Sequence, residues 1–334
     1  MLFKKYLARP VVVAALMWLP GLAVAANTDG ANQLARELIQ RTMKEQRIPG
    51  LQIAVVKDGR VVLSEAYGLA NVENRVPATG TTLFPINSAT KTFTGVAMMQ
   101  LAEAGLVDLD APVARYLDDL PEAWRAIRIR QLLGHTSGLP DIVDQKGLIG
   151  GGSERDAWKA VKALPMDAPV GERFAYNQTN YGLLAQIISR QVKMPYEQYV
   201  AQHQFAPANM PLSRFGDSYD LVPNAATIYS YSPRGTMAKD DGNRISRWIY
   251  DIPYSLWAGG GIQTTADEVG ALDHRLIGWQ TDQRGQGQEH VDAGKAKQRG
   301  RWRMGGRLAG AANRAQAAGG GYRWRPRRIY RVPE

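Results

Sequence analysis

Ser88-Ala89-Thr90-Lys91 follows a β-rich stretch and opens an apolar helix. A serine and a lysine three residues apart share one helical face. At a helix start the backbone N–H groups point outward and favour developing negative charge. A serine hydroxyl becomes a strong nucleophile only when a neighbour takes its proton. A lysine one turn away can do that if burial lowers its pKa. The pair therefore points to acyl transfer. The spacing is common, however, and serine is also an ordinary helix N-cap. The partners supplied by the rest of the chain decide between the two.

Downstream of the pair, Phe93, Val96, Ala97 and Leu101 recur at helical spacing, and Gly105 marks the helix end. Upstream, Leu51 to Val56 and Val61 to Leu63 flank Lys57-Asp58-Gly59-Arg60, which predicts a hairpin on an Asp-Gly turn. Residues 26–47 read as an amphipathic helix with Leu34, Leu38, Ile39 and Met43 at helical spacing. Ile127 to Leu133 leads into a loop, and a polar, glycine-rich surface loop follows over about 144–152. Ser153 is placed to cap a short helix. Asn180 is placed to cap another, whose apolar face is Leu183, Leu184, Ile187 and Ile188. Residues 206–255 are rich in Pro, Asn, Ser and Tyr and read as an irregular excursion. Ile262 to Thr265 and a helix from Ala266 follow. Helix, hairpin, helices and a return to sheet make an α+β pattern, in one domain or in two lobes around a cleft.

Composition narrows the chemistry. The chain has 334 residues and no cysteine, which excludes thiol catalysis and disulfides. Its four histidines are far apart with no ligand spacing, so no metal site is expected. Residues 1–25 read as an export signal: Lys4, Lys5 and Arg9, then an apolar run from Val11 to Leu22, then Ala23-Val24-Ala25. That run is short for a membrane span. The expectation is a cleaved leader and a periplasmic or secreted protein without a stable membrane span.

The formal net charge is +10. Residues 274–334 carry 14 Lys and Arg against 4 Asp and Glu, which leaves the rest of the chain balanced at 27 against 27. The body therefore gives no reason to expect a nucleic-acid partner. In those last 61 residues only six are Leu, Ile or Val, too few for a packed core, so disorder is the expectation from 277 to 334. Three readings of this basic tail stay open. It is an arm for nucleic acid or an anionic membrane surface, a solvated linker, or out-of-frame translation of a GC-rich gene.

Three further segments accompany the serine and lysine. Leu132-Leu133-Gly134-His135-Thr136-Ser137-Gly138-Leu139-Pro140 has the residues of a tight loop. Phe174-Ala175-Tyr176-Asn177-Gln178-Thr179-Asn180-Tyr181 places a tyrosine and amides at a helix start. Ala258-Gly259-Gly260-Gly261 allows close backbone approach. Taken in this order with Ser88-Ala89-Thr90-Lys91, they resemble the serine β-lactamase and penicillin-recognising superfamily. The likeness is to its class C-like branch of esterases, DD-peptidases and related hydrolases, over about residues 30–276.

That resemblance implies a β-lactamase/transpeptidase-like fold, with an antiparallel sheet flanked by helices, a helical lobe and a site in the cleft between them. It implies Ser88 as the acyl-accepting nucleophile, Lys91 as the acceptor of its proton, and Tyr176 as partner in relaying protons to the leaving group. Gln178, Gly260 and Gly261 are the substrate-binding candidates. Gln178 stands where the family's Tyr-x-Asn motif has asparagine, one methylene shorter. His135 is expected to mark the family structurally, without a catalytic role. No cofactor is implied. The partner is a small-molecule or peptide substrate: a β-lactam, a D-Ala peptide or a carboxylic ester.

The family also carries a late [Lys/His]-[Ser/Thr]-Gly motif, on an edge strand that supplies one oxyanion-hole N–H. The sequence lacks it; Arg303-Met304-Gly305-Gly306 is a loose look-alike. Losing one such donor costs about 2.7–4 kcal/mol. The C-terminal strands are therefore expected to be missing and the chain to be weakly active. The alternatives are an impaired remnant or binding protein with a formed cleft, and a protein whose function resides in the basic tail.

Overall fold

The computed structural model describes residues 20–144, 147–231, 244–249 and 251–270, with side chains from residue 30 onward. The expected leader (except for the start of the first helix), the basic tail and Arg303 to Gly306 lie outside the described residues.

Helix α1 spans Pro20–Glu45 and leads into strands β1 (Gly50–Lys57) and β2 (Arg60–Asn71). Their antiparallel pairing runs from Gly50 opposite Gly68 to Lys57 opposite Arg60, with one register shift between Val55 and Val56. The turn is the expected one. Asp58 and Gly59 have φ of 49° and 72°, a mirror-image turn that suits the strand twist and that Asp-Gly tolerates. Strand β3 (Val76–Pro77) completes a three-stranded sheet on β2.

Strand β4 (Phe84–Pro85) and helix α2 (Thr90–Glu103) follow. Helix α3 spans Ile129–Leu133, and β5 (Val143–Asp144) pairs with β6 (Gly147–Leu148) in the expected surface loop. Next come α4 (Glu154–Ala163), α5 (Gln178–Val192) and α6 (Tyr196–Val200). The described part of 206–255 is largely irregular. It contains β7 (Arg214–Phe215) and the pair β8 (Tyr229–Ser230) and β9 (Ser246–Arg247). Helix α7 (Trp257–Gly260) and β10 (Ile262–Thr264) then return to the centre, where β10 lies between β4 and β7. Small antiparallel sheets with surrounding helices make the α+β class.

One core joins the helices. Phe93, Ala97, Met98 and Leu101 of α2 pack in it with Ile129 and Leu132 of α3 and with Leu183, Leu184, Ile187 and Ile188 of α5. Trp124, Ile142, Tyr196 and Ile262 fill the spaces between them. The apolar face expected for α5 is buried in full. Ser153 caps α4 as expected: its Oγ accepts the Asp156 N–H, and Asp156 answers onto the Ser153 N–H.

Three expectations need correction. The cap of α5 is Asn177, not Asn180: its extended backbone lets Oδ1 accept the Asn180 N–H at 3.0 Å. Asn180 lies inside the first turn and spends its side chain elsewhere. The α-helix after Ser88 begins at Thr90, behind a 3₁₀ turn over Asn87–Ala89, and no side-chain cap bond forms there. On α1, Leu34 and Leu38 are 69% and 53% exposed, while Ile39 and Met43 are half-buried, so only part of the expected face is covered. No helix among the described residues is long and apolar enough to cross a membrane.

Candidate active site

The 3₁₀ turn presents Ser88 to solvent at the start of α2. Because no cap bond uses its hydroxyl, the N-cap reading of this serine fails. Asn87, just before it, has φ of 48°, and Ala89 is the first N–H of the turn to find a carbonyl, that of Ile86. The Ser88 amide thus lies at the open end of the turn, where an oxyanion can meet it.

One turn on, Lys91 is 8% exposed. Its Nζ donates to Gln178 Oε1 at 2.9 Å and to the Gly259 carbonyl at 2.8 Å. Burial pushes the ammonium below the usual lysine range, while Tyr176 and the Asp141 carboxylate pull it back up. Its Nζ also lies 4.8 Å from the ring centre of Tyr176 and 5.1 Å from that of Tyr181.

The Tyr176 hydroxyl interacts with the side chains of Lys91, Ser88 and Gln178. Burial raises its pKa, but Lys91 and Ser88 outweigh that, so the phenol lies below the usual tyrosine range. A lysine below its ordinary range and a tyrosine below its own are the pair from which a proton relay is built. Proton transfer between them leaves a phenolate or a neutral amine beside Ser88.

The loop 135–141 and α5 hold this arrangement. Asp141 Oδ1 accepts the Gln178 N–H at 3.0 Å, at the positive end of α5. Burial raises the Asp141 pKa, against the pull of backbone N–H groups from Gln178, Val143, Ile142 and Thr179. Thr179 Oγ1 donates to the Pro140 carbonyl and accepts the Ile142 N–H. On the far side, Thr94 donates to the Ala258 carbonyl and pairs with Tyr196, which fixes α7 against α2.

Ser88, Lys91, Tyr176 and Gln178 therefore come together as the sequence predicts. Gly260 and Gly261 are buried nearby, and Gly261 is used by the backbone: its N–H donates to the Trp257 carbonyl and its own carbonyl accepts the Gly216 N–H. The glycine that touches the lysine is Gly259, which the sequence reading did not single out. A Cβ there would lie 2.7 Å from Gln178 Oε1 and 3.1 Å from Lys91 Nζ. Asp141, Asn177 and Tyr181 were also missed. Asp141 directly follows the loop motif and Tyr181 ends the tyrosine motif, but nothing local marks either as a site residue. Among the described residues no group of His, Cys, Asp and Glu is placed to hold a metal.

The family model described as Beta-lactamase matches residues 35–329. Protein flp of Staphylococcus aureus (strain MW2) is 32% identical over 194 residues, 56% of this chain and 39% of that protein. The putative penicillin-binding protein PbpX of Bacillus subtilis (strain 168) is 28% identical over 240 residues, 72% of this chain and 57% of that one. The chain thus spans roughly two to three fifths of the length of these relatives. Among solved structures, the octameric penicillin-binding protein homologue from Pyrococcus abyssi superposes with a TM-score of 0.61 at 28% identity, over 72% of this chain and 55% of that one. A class C beta-lactamase gives 0.62 at 23% identity, over 73% and 64%, which speaks for the fold alone.

Proposed function

Because the chain belongs to the Beta-lactamase family, we propose that it is an exported serine hydrolase that opens an ester or amide through an acyl-enzyme on Ser88. The observation that carries this reading is the buried Lys91, one turn after Ser88, with its Nζ held by Gln178 and Gly259 and 4.8 Å from the Tyr176 ring centre. Ser88 Oγ attacks the substrate carbonyl, and its proton passes to the Tyr176–Lys91 pair. The Ser88 N–H steadies the oxyanion. On collapse the pair returns the proton to the departing alcohol or amine, leaving the acyl group on Ser88. Water, deprotonated by the same pair, then releases the acid. β-Lactams, D-Ala peptides and carboxylic esters all fit this chemistry. The leader at residues 1–25 favours work outside the cytoplasm.

A second reading rests on one sequence observation, the missing late motif. A cleft with one oxyanion donor fewer would still take an acyl group but turn over slowly. The test is the intact mass of the protein after a serine-directed fluorophosphonate and, separately, after a β-lactam, with Ser88→Ala alongside. One adduct that vanishes completely in Ser88→Ala is the expected result. No adduct on the folded chain overturns the hydrolase reading. A β-lactam adduct that persists for hours favours the slow remnant.

A further inference from the structure

The loop histidine has more to do than mark a turn. His135 is 6% exposed and takes a positive φ of 52°. Its carbonyl accepts the Ala175 N–H at 2.8 Å, and its Nδ1 accepts the Asn177 N–H at 3.2 Å. Both residues flanking Tyr176 in the chain are therefore tied to this one residue. Its ring also lies against that of Tyr176, with centres 4.6 Å apart and planes 34° apart. Tyr181 lies 5.2 Å away and Phe174 5.7 Å away.

The hydrogen bonds fix the ring's protonation. A backbone N–H can only donate, so Nδ1 carries no proton and Nε2 does. Asn180 agrees: its Oδ1 accepts the Ser137 hydroxyl at 2.6 Å, which turns its amide nitrogen toward Nδ1 at 3.1 Å. The titratable groups whose charge or ring bears on the imidazole are Lys91 from α2, Tyr176 from the loop and Tyr181 from α5. Burial, then the Lys91 charge, push its pKa down to about 4.

We propose that His135 is a positioning residue: it brackets Tyr176 through both neighbouring amides and its ring, and so sets the phenol against Ser88 and Lys91. This inference rests on the reading of those three residues given above. In His135→Asn the new Oδ1 replaces Nδ1 as acceptor, so the bracket keeps its hydrogen bonds and loses its ring. A displacement near 1 Å at a reacting group costs about 10²-fold in rate. The expected result is acylation slowed by about that factor with probe affinity unchanged.

A second readout needs no turnover. The tyrosinate absorbance difference between the chain and its Tyr176→Phe variant reports the Tyr176 titration. In the His135→Asn background that titration moves up toward the ordinary tyrosine range. A titration unmoved by His135→Asn overturns the proposal, whatever the rate does. A third readout uses the unsubstituted chain: long-range ¹⁵N spectra show one histidine with bare Nδ1 and protonated Nε2 at neutral pH, and their failure to do so also overturns it. Should the wild-type chain take no acyl group, the hydrolase reading falls, while the Tyr176 titration still decides the role of His135.

Discussion

On α5, Leu183, Leu184, Ile187 and Ile188 are fully buried, whereas on the β1–β2 hairpin Val55 and Val61 stay 37% and 46% exposed. The hairpin buries only Leu63 and Ala70 below the surface, and neither joins the main core. Fully burying an aliphatic side chain contributes about 1.5–3 kcal/mol, so the four buried side chains of α5 contribute more than Leu63 and Ala70, the two fully buried side chains of the hairpin. Ser88, Lys91, Tyr176 and Gln178 all belong to the packed half, carried by the 3₁₀ turn before α2, by α2 itself, by α5 and by the loop before α5. The difference teaches where preorganisation comes from: the candidate site groups borrow rigidity from a helical core, not from the sheet beside it.

The largest expected effect tests that contrast directly. Ile187→Ala removes buried atoms from the core and is expected to cost about 2–5 kcal/mol in urea denaturation. Val61→Ala, on the half-exposed hairpin, is expected to cost under about 1 kcal/mol. Equal losses would mean that the hairpin is as tightly built in as α5, and the contrast would fail.

Acid sharpens the comparison next, because the buried histidine is in the helical half. Above about pH 6.5 His135 is neutral both folded and unfolded, and contributes no pH dependence. Between about 6.5 and the folded value of about 4, the unfolded chain binds a proton that the folded chain refuses. Stability must therefore fall as pH falls through this window, by up to about 3 kcal/mol. Denaturation midpoints at pH 7 and pH 4 measure the fall, and in His135→Asn the drop should shrink by that amount. An equal drop in both proteins would show that His135 titrates in the folded state as it does in the unfolded one.

How much of this was legible in the sequence follows from the range of the forces. The Asp58-Gly59 turn, the Ser153 cap and the α5 face are fixed by neighbours within a few residues, and they were read correctly. Ser88, Lys91, Tyr176 and Gln178 were legible as a set through their motifs, although residues 91 and 178 meet only in the folded chain. Exposure of Leu34 and Leu38 was illegible, because periodicity reports a face and not what covers it. Asn177 and Asn180 are both good caps by type, and only the backbone at Asn177 separates them. His135 looked like a turn residue because its partners, the amides of 175 and 177, lie some 40 residues away in sequence.

Gly259 and Gly261 separate site from scaffold inside the packed half. At Gly259 an added Cβ meets Gln178 Oε1 at 2.7 Å and Lys91 Nζ at 3.1 Å, both ends of side chains that can move. At Gly261 it meets the Cα and ring of Trp257 at 2.9 Å, part of the scaffold itself. In Gly259→Ala the lysine must give way, and acylation is expected to fall about 10²-fold. Its fold should hold, since alanine suits a helix better than glycine by about 1 kcal/mol and offsets part of the crowding. Gly261→Ala should do the reverse, lowering the denaturation midpoint by overpacking of about 1–3 kcal/mol while the folded fraction acylates near the normal rate. Acylation kinetics and denaturation of the two variants, taken together, decide the matter. A Gly259→Ala chain that acylates normally would mean that Lys91 has slack, and that the buried contacts around its Nζ do not hold it to the geometry the relay needs.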